Sequence, residues 1–153
     1  MPQVAREIME KTFRALETRD RAALLACFAP DARLFDPHYP QPTMQGIAEI
    51  AEGIDWGLKG VKRFGFTIVH YFGSDDGQSG CVEVDTNHTL NVGGDLHFPQ
   101  VFIVETKAGL ISRLQAYEPY GPNGIGGAFL GFERLKRRLS GKKTHTGFAQ
   151  VGS

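Results

Sequence analysis

The sequence predicts an α+β domain in which helices pack against one face of a curved, mainly antiparallel sheet. Before Gly60 the apolar residues recur with the period of about 3.6 that is typical of helices. After Gly60 they alternate as strands do, and turn signals at residues 73–77, 93–95 and 107–109 divide this second part. A run of helices followed by a run of strands favours this class over an alternating α/β fold.

Three helices and a short strand are expected first. Residues 3–18 form an amphipathic helix, and a second helix starts with Asp20 as its N-cap and is stopped by Pro30. Residues 32–36 form a short strand. A third helix begins near Gly46, and its apolar stripe consists of Ile47, Ile50, Ala51, Ile54 and Leu58. Trp56 lies opposite that stripe, so it must face solvent, a partner or a covering loop.

The second part of the chain predicts a meander of four long strands, over residues 61–72, 80–92, 96–106 and 110–119. One side of the first of these strands consists of Phe64, Phe66, Ile68, His70 and Phe72. A short C-terminal helix follows, with Phe129, Phe132, Leu135 and Leu139 as its apolar residues. We therefore expect one domain over residues 1–140 and a flexible C-terminal tail over residues 141–153.

The composition excludes some classes of function and of partner. The chain has 153 residues, of which 41% are hydrophobic, and its 17 basic and 17 acidic side chains cancel. No overall field would attract nucleic acid or an anionic membrane, so neither is an expected partner. The N-terminus carries charges where a secretory signal needs an apolar run, and no window is long and apolar enough for a membrane span, which predicts a cytoplasmic protein. Cys27 and Cys81 have no metal-binding spacing and are expected to be reduced thiols.

Two segments place a carboxylate, a proline and aromatic rings side by side, at residues 36–40 (DPHYP) and 117–122 (YEPYGP). Each segment closes a predicted strand, and proline cannot continue a sheet ladder, so Asp36 and Glu118 should lie where their strands stop pairing. If both ends meet at one cavity, carboxyl groups, tyrosines and a histidine surround an apolar space. Such a set is suited to general acid/base chemistry without a cofactor.

The phrases at residues 28–32 (FAPDA), 102–105 (FIVE), 109–111 (GLI) and 116–119 (AYEP), with Asp36 ending a strand and Gly46 opening a helix, resemble the NTF2-like (cystatin-like) superfamily, especially its SnoaL-like branch. The resemblance covers residues 3–120. It implies a cone-shaped α+β fold with a deep apolar pocket, as in polyketide cyclases, steroid isomerases and limonene-epoxide-hydrolase-like proteins. It also implies a homodimer through the open sheet face, which would bury Trp56 or the strand face that consists of Val82, Val84, Thr86 and His88.

The resemblance places Glu118 at the position of an active-site acid, and we expect it to be the first candidate for general base or acid. A glutamate at the surface end of a strand is the alternative. Asp36 either reaches the pocket or only caps a turn through its own side chain. His38 and Tyr39 would orient or protonate a substrate oxygen. Further substrate-binding candidates are Trp56, Tyr117 and Tyr120, and His70, for which a satisfied core histidine is the more common explanation.

The strand over residues 80–92 can be oriented in two ways. The hydrophobic rule buries Val82, Val84 and their neighbours at alternate positions. In the epoxide-hydrolase-like relatives the polar positions face the pocket, and these correspond to Asp85 and Asn87, which are therefore also substrate-binding candidates. The arginine of those relatives is missing here, so epoxide hydrolysis is disfavoured. Asp85 and Glu118 could still share a proton.

No metal and no cofactor are expected. The histidines lack metal-binding spacing, and Asp36 with His38 supplies only two ligands where a catalytic site needs about three. The first hypothesis is an isomerase, cyclase or dehydratase that acts on a small hydrophobic oxygenated ligand. The alternative is a non-catalytic protein that binds a ligand or regulates a partner on the same fold. A third is an interaction adaptor anchored by an exposed Trp56.

Overall fold

The computed structural model describes residues 2–118 and, in a separate unit, residues 131–133, 135–136 and 138–141. In the second unit these residues form helical turns, in agreement with the predicted C-terminal helix. Tyr120, Phe129 and the tail from residue 142 onward lie outside the described residues, so the expected domain boundary stays a prediction. Among the described residues no helix is long and apolar enough to cross a membrane.

The three N-terminal helices form where the apolar periodicity predicts them. They are α1 (Val4–Glu17), α2 (Arg21–Leu25) and α3 (Gly46–Gly60). Asp20 caps α2, because its side chain accepts a hydrogen bond of 2.9 Å from the backbone N–H of Ala23. The second helix ends five residues before Pro30, and Pro30 lies in the following strand, so proline is not what stops it.

Seven strands form one mixed sheet. They are β1 (Phe28–Phe35), β2 (Thr43–Gln45), β3 (Val61–Arg63), β4 (Phe66–Gly73), β5 (Ser79–Leu90), β6 (Asp95–Lys107) and β7 (Leu110–Tyr117). The order is β2-β1-β7-β6-β5-β3, and β4 also pairs with β5. Every pair is antiparallel apart from β1 with β7, which are parallel. This parallel pair brings the C-terminal ends of β1 and β7 side by side, at the same end of the strands.

The predicted strand over residues 61–72 is two strands, β3 and β4, separated at Gly65. A Cβ atom at Gly65 would lie 2.5 Å from the carbonyl oxygen of Asn87 on β5, so only glycine fits this close approach. Residues 28–31 of β1 and all of β2 were missed by the prediction. The register of β1 on β7 shifts between Phe28 and Arg33, around Pro30, which has no N–H to donate.

A β-bulge in β4 corrects the predicted side of His70. Ile68 pairs with Val84 but His70 pairs with Glu83, so one extra residue lies between them and the alternation reverses. Phe66, Ile68 and Tyr71 pack against the core, whereas His70 and Phe72 are exposed. Phe72 is therefore not a core residue, and His70 is not a core histidine.

The core lies between the helices and the inner face of the sheet. Phe13 of α1 stacks on Phe66, with ring centroids 4.5 Å apart, and its ring lies 5.5 Å from that of Phe102. Val82 and Val84 of β5 are fully buried within the single chain. The hydrophobic rule therefore orients β5 correctly, and the idea that a dimer buries this face is wrong because α1 already contacts β5.

Candidate active site

A cavity of about 330 Å³ opens between the helices and the inner face of the sheet. Its wall is mainly apolar, and its aromatic residues are Phe13, Phe28, Tyr39, Trp56, Phe64, Phe66, Phe98 and Phe102. The polar side chains in the wall are those of Thr12, Asp36, His38, His88 and Gln100. Neither lysine nor arginine is among the lining residues in the described part of the chain. Such a space favours an apolar ligand with few polar groups.

Asp36 lies in this wall and also forms the turn that follows β1. Its Oδ1 accepts a hydrogen bond of 3.0 Å from the backbone N–H of His38, and its own N–H donates to the carbonyl oxygen of Pro42 at 2.9 Å. The side chain therefore makes the Asx-turn. Since Asp36 also lines the cavity, the two roles weighed from the sequence coexist in one residue.

Glu118 lies behind Asp36 and His38. Its side chain is only 2% exposed, and its Oε2 is 2.7 Å from Nδ1 of His38. Its carboxyl group also hydrogen-bonds to that of Asp36. One side-chain N or O atom from each of the three residues lies within 4.8 Å of the others, so the acids at the two predicted strand ends do meet. Parallel pairing of β1 with β7 explains this, because both acids directly follow their strands.

A chain of hydrogen bonds across the inner sheet face orients Glu118. Thr86 Oγ1 donates to Gln100 Oε1 at 3.0 Å, and Gln100 Nε2 donates to Glu118 Oε1 at 2.6 Å. All three side chains are buried. Sequence reasoning missed Gln100 and the polar role of Thr86. The available signal was a polar residue at the inward position of an otherwise apolar strand.

The two carboxyl groups have raised pKa values. Burial raises the pKa of Glu118 to about 8, with the charge and the hydrogen bond of Asp36 adding to it and the hydrogen bond from Gln100 opposing it. Burial also raises the pKa of Asp36, against the hydrogen bonds from His38 and Glu118 and the charge of His38. At neutral pH the pair therefore holds one proton, on Glu118, which donates it to the Asp36 carboxylate.

Tyr39 covers the cavity from the loop after β1. Its hydroxyl oxygen lies 3.1 Å from where a Cβ atom at Gly57 would be, so the Gly53 and Gly57 face of α3 leaves room for the ring. Burial, with the charges of Asp36 and Glu118, raises the pKa of Tyr39, which keeps its phenolic proton. Trp56, at 50% exposure, packs beside Tyr39 with centroids 5.7 Å apart. The covering loop is thus what Trp56 faces.

Comparison with known proteins identifies the family. Residues 9–114 match the SnoaL-like domain. The chain belongs to this family. No curated protein matches this SnoaL-like chain significantly.

Solved structures share the fold of this SnoaL-like chain. An NTF2-like protein of unknown function from Burkholderia pseudomallei is 18% identical, with a TM-score of 0.68 over 78% of this chain and 92% of that chain. A Mycobacterium tuberculosis protein in complex with estradiol-17beta-hemisuccinate is 20% identical, with a TM-score of 0.66 over 74% and 92%. Delta 5-3-ketosteroid isomerase from Mycobacterium sp. is 22% identical, with a TM-score of 0.67 over 74% and 92%. The predicted NTF2-like α+β fold is confirmed.

Four further candidate residues of this SnoaL-like protein do not line the cavity, namely His70, Asp85, Asn87 and Tyr117. His70 Nδ1 lies 2.7 Å from Glu83 on the outer face, and Asp85 lies 2.7 Å from Nε2 of His97. Asn87 is exposed and accepts a hydrogen bond of 3.3 Å from Arg63.

Tyr117 is 54% exposed, because strand alternation turns it away when Ala116 and Glu118 turn inward. The expected place of Asp85, Asn87 and Tyr117 at the pocket is thus corrected by strand parity. Asp85 cannot share a proton with Glu118 from the opposite face of the sheet.

His88 is a cavity residue for which the sequence suggested burial in a dimer. Its Nδ1 accepts a hydrogen bond of 3.2 Å from the backbone N–H of Gly65. The imidazole meets the rings of Phe64, Phe66 and Phe98 edge to face, with centroids 5.1, 4.9 and 6.4 Å away. Burial lowers the pKa of His88 to about 4, against a hydrogen bond with the backbone of Asn87 and with the help of the charges of Arg63 and His38. It is uncharged at neutral pH, with its proton on Nε2.

The cluster of Asp36, His38 and Glu118 also offers three donors for a divalent metal. The sequence argument against a metal counted only two ligands and lacked Glu118. Burial of both carboxyl groups and the hydrogen bond from Glu118 to Asp36 favour a pair that shares a proton, whereas metal ligation needs both carboxyl groups ionised.

Proposed function

We propose that this SnoaL-like protein is a cofactor-independent acid/base enzyme that acts on small, largely apolar, oxygenated molecules. The reaction class is isomerisation, cyclisation or dehydration, begun by removal of a proton next to a carbonyl group. The observation that carries the proposal is the meeting of the Asp36 and Glu118 carboxyl groups at the wall of a mainly apolar cavity, where burial raises the pKa of both. The steroid-related relatives described above support it only by sharing the fold.

In the proposed reaction Asp36 is the base, since its carboxylate lines the cavity and Glu118 lies behind it. The C–H bond next to the carbonyl breaks, its proton moves to Asp36, and its electron pair forms an enolate. Tyr39 donates a hydrogen bond to the enolate oxygen. Return of the proton to another carbon completes an isomerisation. This order differs from the sequence hypothesis, which put Glu118 first.

Glu118 and His38 act on Asp36 and not on the substrate carbon. The protonated Glu118 donates to the Asp36 carboxylate and fixes its direction. His38 closes the same cluster, through its backbone N–H to Asp36 and its ring to Glu118. The pair accepts one proton per turnover, and burial lets it do so near neutral pH.

The test measures α-proton exchange of 2-tetralone in D₂O by NMR, an assay of enolate formation that does not require the natural substrate. Asp36→Asn should lower the protein-dependent exchange rate by about 10²- to 10⁴-fold, the range for loss of a general base. Asp85→Asn is the matched control, since Asp85 lies on the other sheet face. Unchanged exchange in Asp36→Asn would refute the proposal, and loss of exchange on adding EDTA would favour the metal alternative.

A non-catalytic binding protein remains the second candidate, favoured by the turn that Asp36 builds after β1. In a pocket that only binds a ligand, nearby arginines such as Arg33, Arg63 or Arg113 would be expected to neutralise the acids. Instead Arg113 pairs with Glu105 at 2.7 Å, and Arg63 donates to Asn87. If 2-tetralone binds the wild-type protein without any exchange, the binding function is the correct one.

A homodimer through the outer sheet face is also part of this proposal. The outer side of β4 exposes Phe72, at 67%, and Val69, at 40%. An apolar pair of this kind would be covered in a dimer. Sedimentation equilibrium of the wild-type protein and of Phe72→Ser tests this, and a wild-type monomer would refute it.

A further inference from the structure

The proposed proton transfer leaves two polar side chains of the described wall unused, those of Thr12 and His88. The hydroxyl of Thr12 donates to the carbonyl oxygen of Ile8 at 2.7 Å, which leaves the imidazole of His88. Its Nδ1 is occupied by the backbone N–H of Gly65, which fixes the tautomer with hydrogen on Nε2. The ring's other backbone partner, the carbonyl group of Asn87, lies against Gly65 and thus on the Nδ1 side. Among the described residues no hydrogen bond from Nε2 is found, and the ring lines the cavity wall. An N–H donor at an apolar wall has no hydrogen-bond acceptor until a ligand supplies one.

We propose that His88 recognises the ligand, by donating a hydrogen bond from Nε2 to a carbonyl or hydroxyl oxygen of an uncharged molecule. The proposal rests on the proposed use of the cavity for small oxygenated ligands, and it assigns a specificity residue within it. The donor is held in place by Gly65 and by the edge-to-face contacts with Phe64, Phe66 and Phe98.

The charge of the wall determines the class of ligand. His88 is surrounded by phenylalanine rings, and the ionisable acids of the wall form the Asp36–Glu118 pair, which keeps one negative charge when it holds one proton. An anionic group would meet this charge without any lysine or arginine in the described wall to balance it, and the ring of His38 already lies 2.7 Å from Glu118. A neutral oxygen accepts the N–H of His88 without that cost. His88 therefore selects ketones and alcohols over carboxylates.

Both the ligand and the residue are varied in the test. 2-Acetylnaphthalene offers a neutral acceptor, 2-ethylnaphthalene has nearly the same shape without it, and 2-naphthoate carries a charge. Dissociation constants for each are measured by calorimetry on the wild-type protein, on His88→Phe and on His88→Gln. His88→Phe keeps an aromatic ring among the phenylalanines but has no N–H, and His88→Gln keeps an N–H donor.

In the wild-type protein the ketone should bind more tightly than the hydrocarbon, and the carboxylate most weakly. His88→Phe should weaken ketone binding by about 10-fold, the usual effect of losing one neutral hydrogen bond, and leave hydrocarbon binding unchanged. His88→Gln should restore part of the ketone preference. A structural role alone would change the affinities of ketone and hydrocarbon together.

An equal ketone-to-hydrocarbon ratio in the wild-type protein and His88→Phe would overturn the inference, as would failure of the ketone to bind the wild-type protein. If His88→Phe does not fold, the dissociation constants of ketone and hydrocarbon in His88→Gln decide the question. Equal affinities for the two ligands in that variant overturn the inference. The experiment measures binding only. A protein that shows the His88-dependent preference but no α-proton exchange would retain this inference and lose the proposed catalysis.

Discussion

Replacing Glu118 by glutamine should change how the stability of the protein depends on pH. Glutamine has the shape of a protonated glutamic acid, so it can accept from Gln100 and donate to Asp36 as Glu118 does. It cannot ionise. Wild type and variant should therefore be equally stable in acid, where Glu118 is protonated in both the folded and unfolded chains. They should diverge as the pH rises.

The sign and size follow from the pKa. The unfolded chain releases the Glu118 proton near pH 4.5, and the folded chain keeps it until about pH 8. Between these values the folded state binds more protons, so the free energy of unfolding of the wild-type protein falls as pH rises. The loss of stability is absent below the pKa of the unfolded chain and complete above the pKa of the folded chain. At about 1.4 kcal/mol per pKa unit, its upper bound is about 5 kcal/mol.

Urea denaturation followed by Trp56 fluorescence, at about pH 5 and at about pH 9, measures this difference. Glu118→Gln should gain several kcal/mol on the wild-type protein at the higher pH and less than about 1 kcal/mol at the lower, because that lower pH lies only just above the pKa of the unfolded chain. Glu52→Gln is the control, because Glu52 is exposed on α3, and it should stay within about 0.5 kcal/mol at both pH values. Parallel pH curves for Glu118→Gln and the wild-type protein would contradict the assignment of the proton to Glu118.

Two further predictions concern the supports of the site. Thr86→Val removes the donor to Gln100 Oε1 and leaves a buried acceptor unpaired, so it should cost about 1–3 kcal/mol in urea denaturation, whereas a cost near zero would mean that water replaces the hydroxyl. Gly65→Ala places a Cβ atom 2.5 Å from the carbonyl oxygen of Asn87, so it should destabilise the fold by about 1–3 kcal/mol, and unchanged thermal unfolding would refute the close approach.

The helices and the meander could be predicted because their signals are local. Asp20 shows its capping role in its own turn, and the apolar stripe of α3 needs no knowledge of its partners. The positions of Asp36 and Glu118 at strand ends were also predictable, since prolines mark both ends, but their convergence on one cavity was a condition that the sequence left open. Its cause, the parallel pairing of β1 with β7, depends on contacts between residues about 80 apart and has no local signal.

Errors in the candidate site come from strand parity. One bulged residue in β4 reverses the sides of His70 and Phe72, and no turn residue marks it. On β5 the family comparison pointed Asp85 and Asn87 inward, whereas burial of Val82 and Val84 turns them outward. The sequence argument did not consider Gln100, a polar residue at an inward position of β6, for the cavity. Its place behind the carboxyl pair was therefore missed.

Site formation depends on an unusual combination of one parallel strand pair and one Asx-turn. An antiparallel pairing of β1 with β7 would place Asp36 and Glu118 at opposite ends of the pair, where neither could affect the other's pKa. The parallel pairing brings both to one edge, and the turn keeps Asp36 at the cavity wall through the N–H of His38. Gln100 provides one donor to Glu118, too few to hold both acids ionised in a buried position. A shared proton therefore follows from the topology and from the scarcity of donors, and the Glu118→Gln experiment tests both.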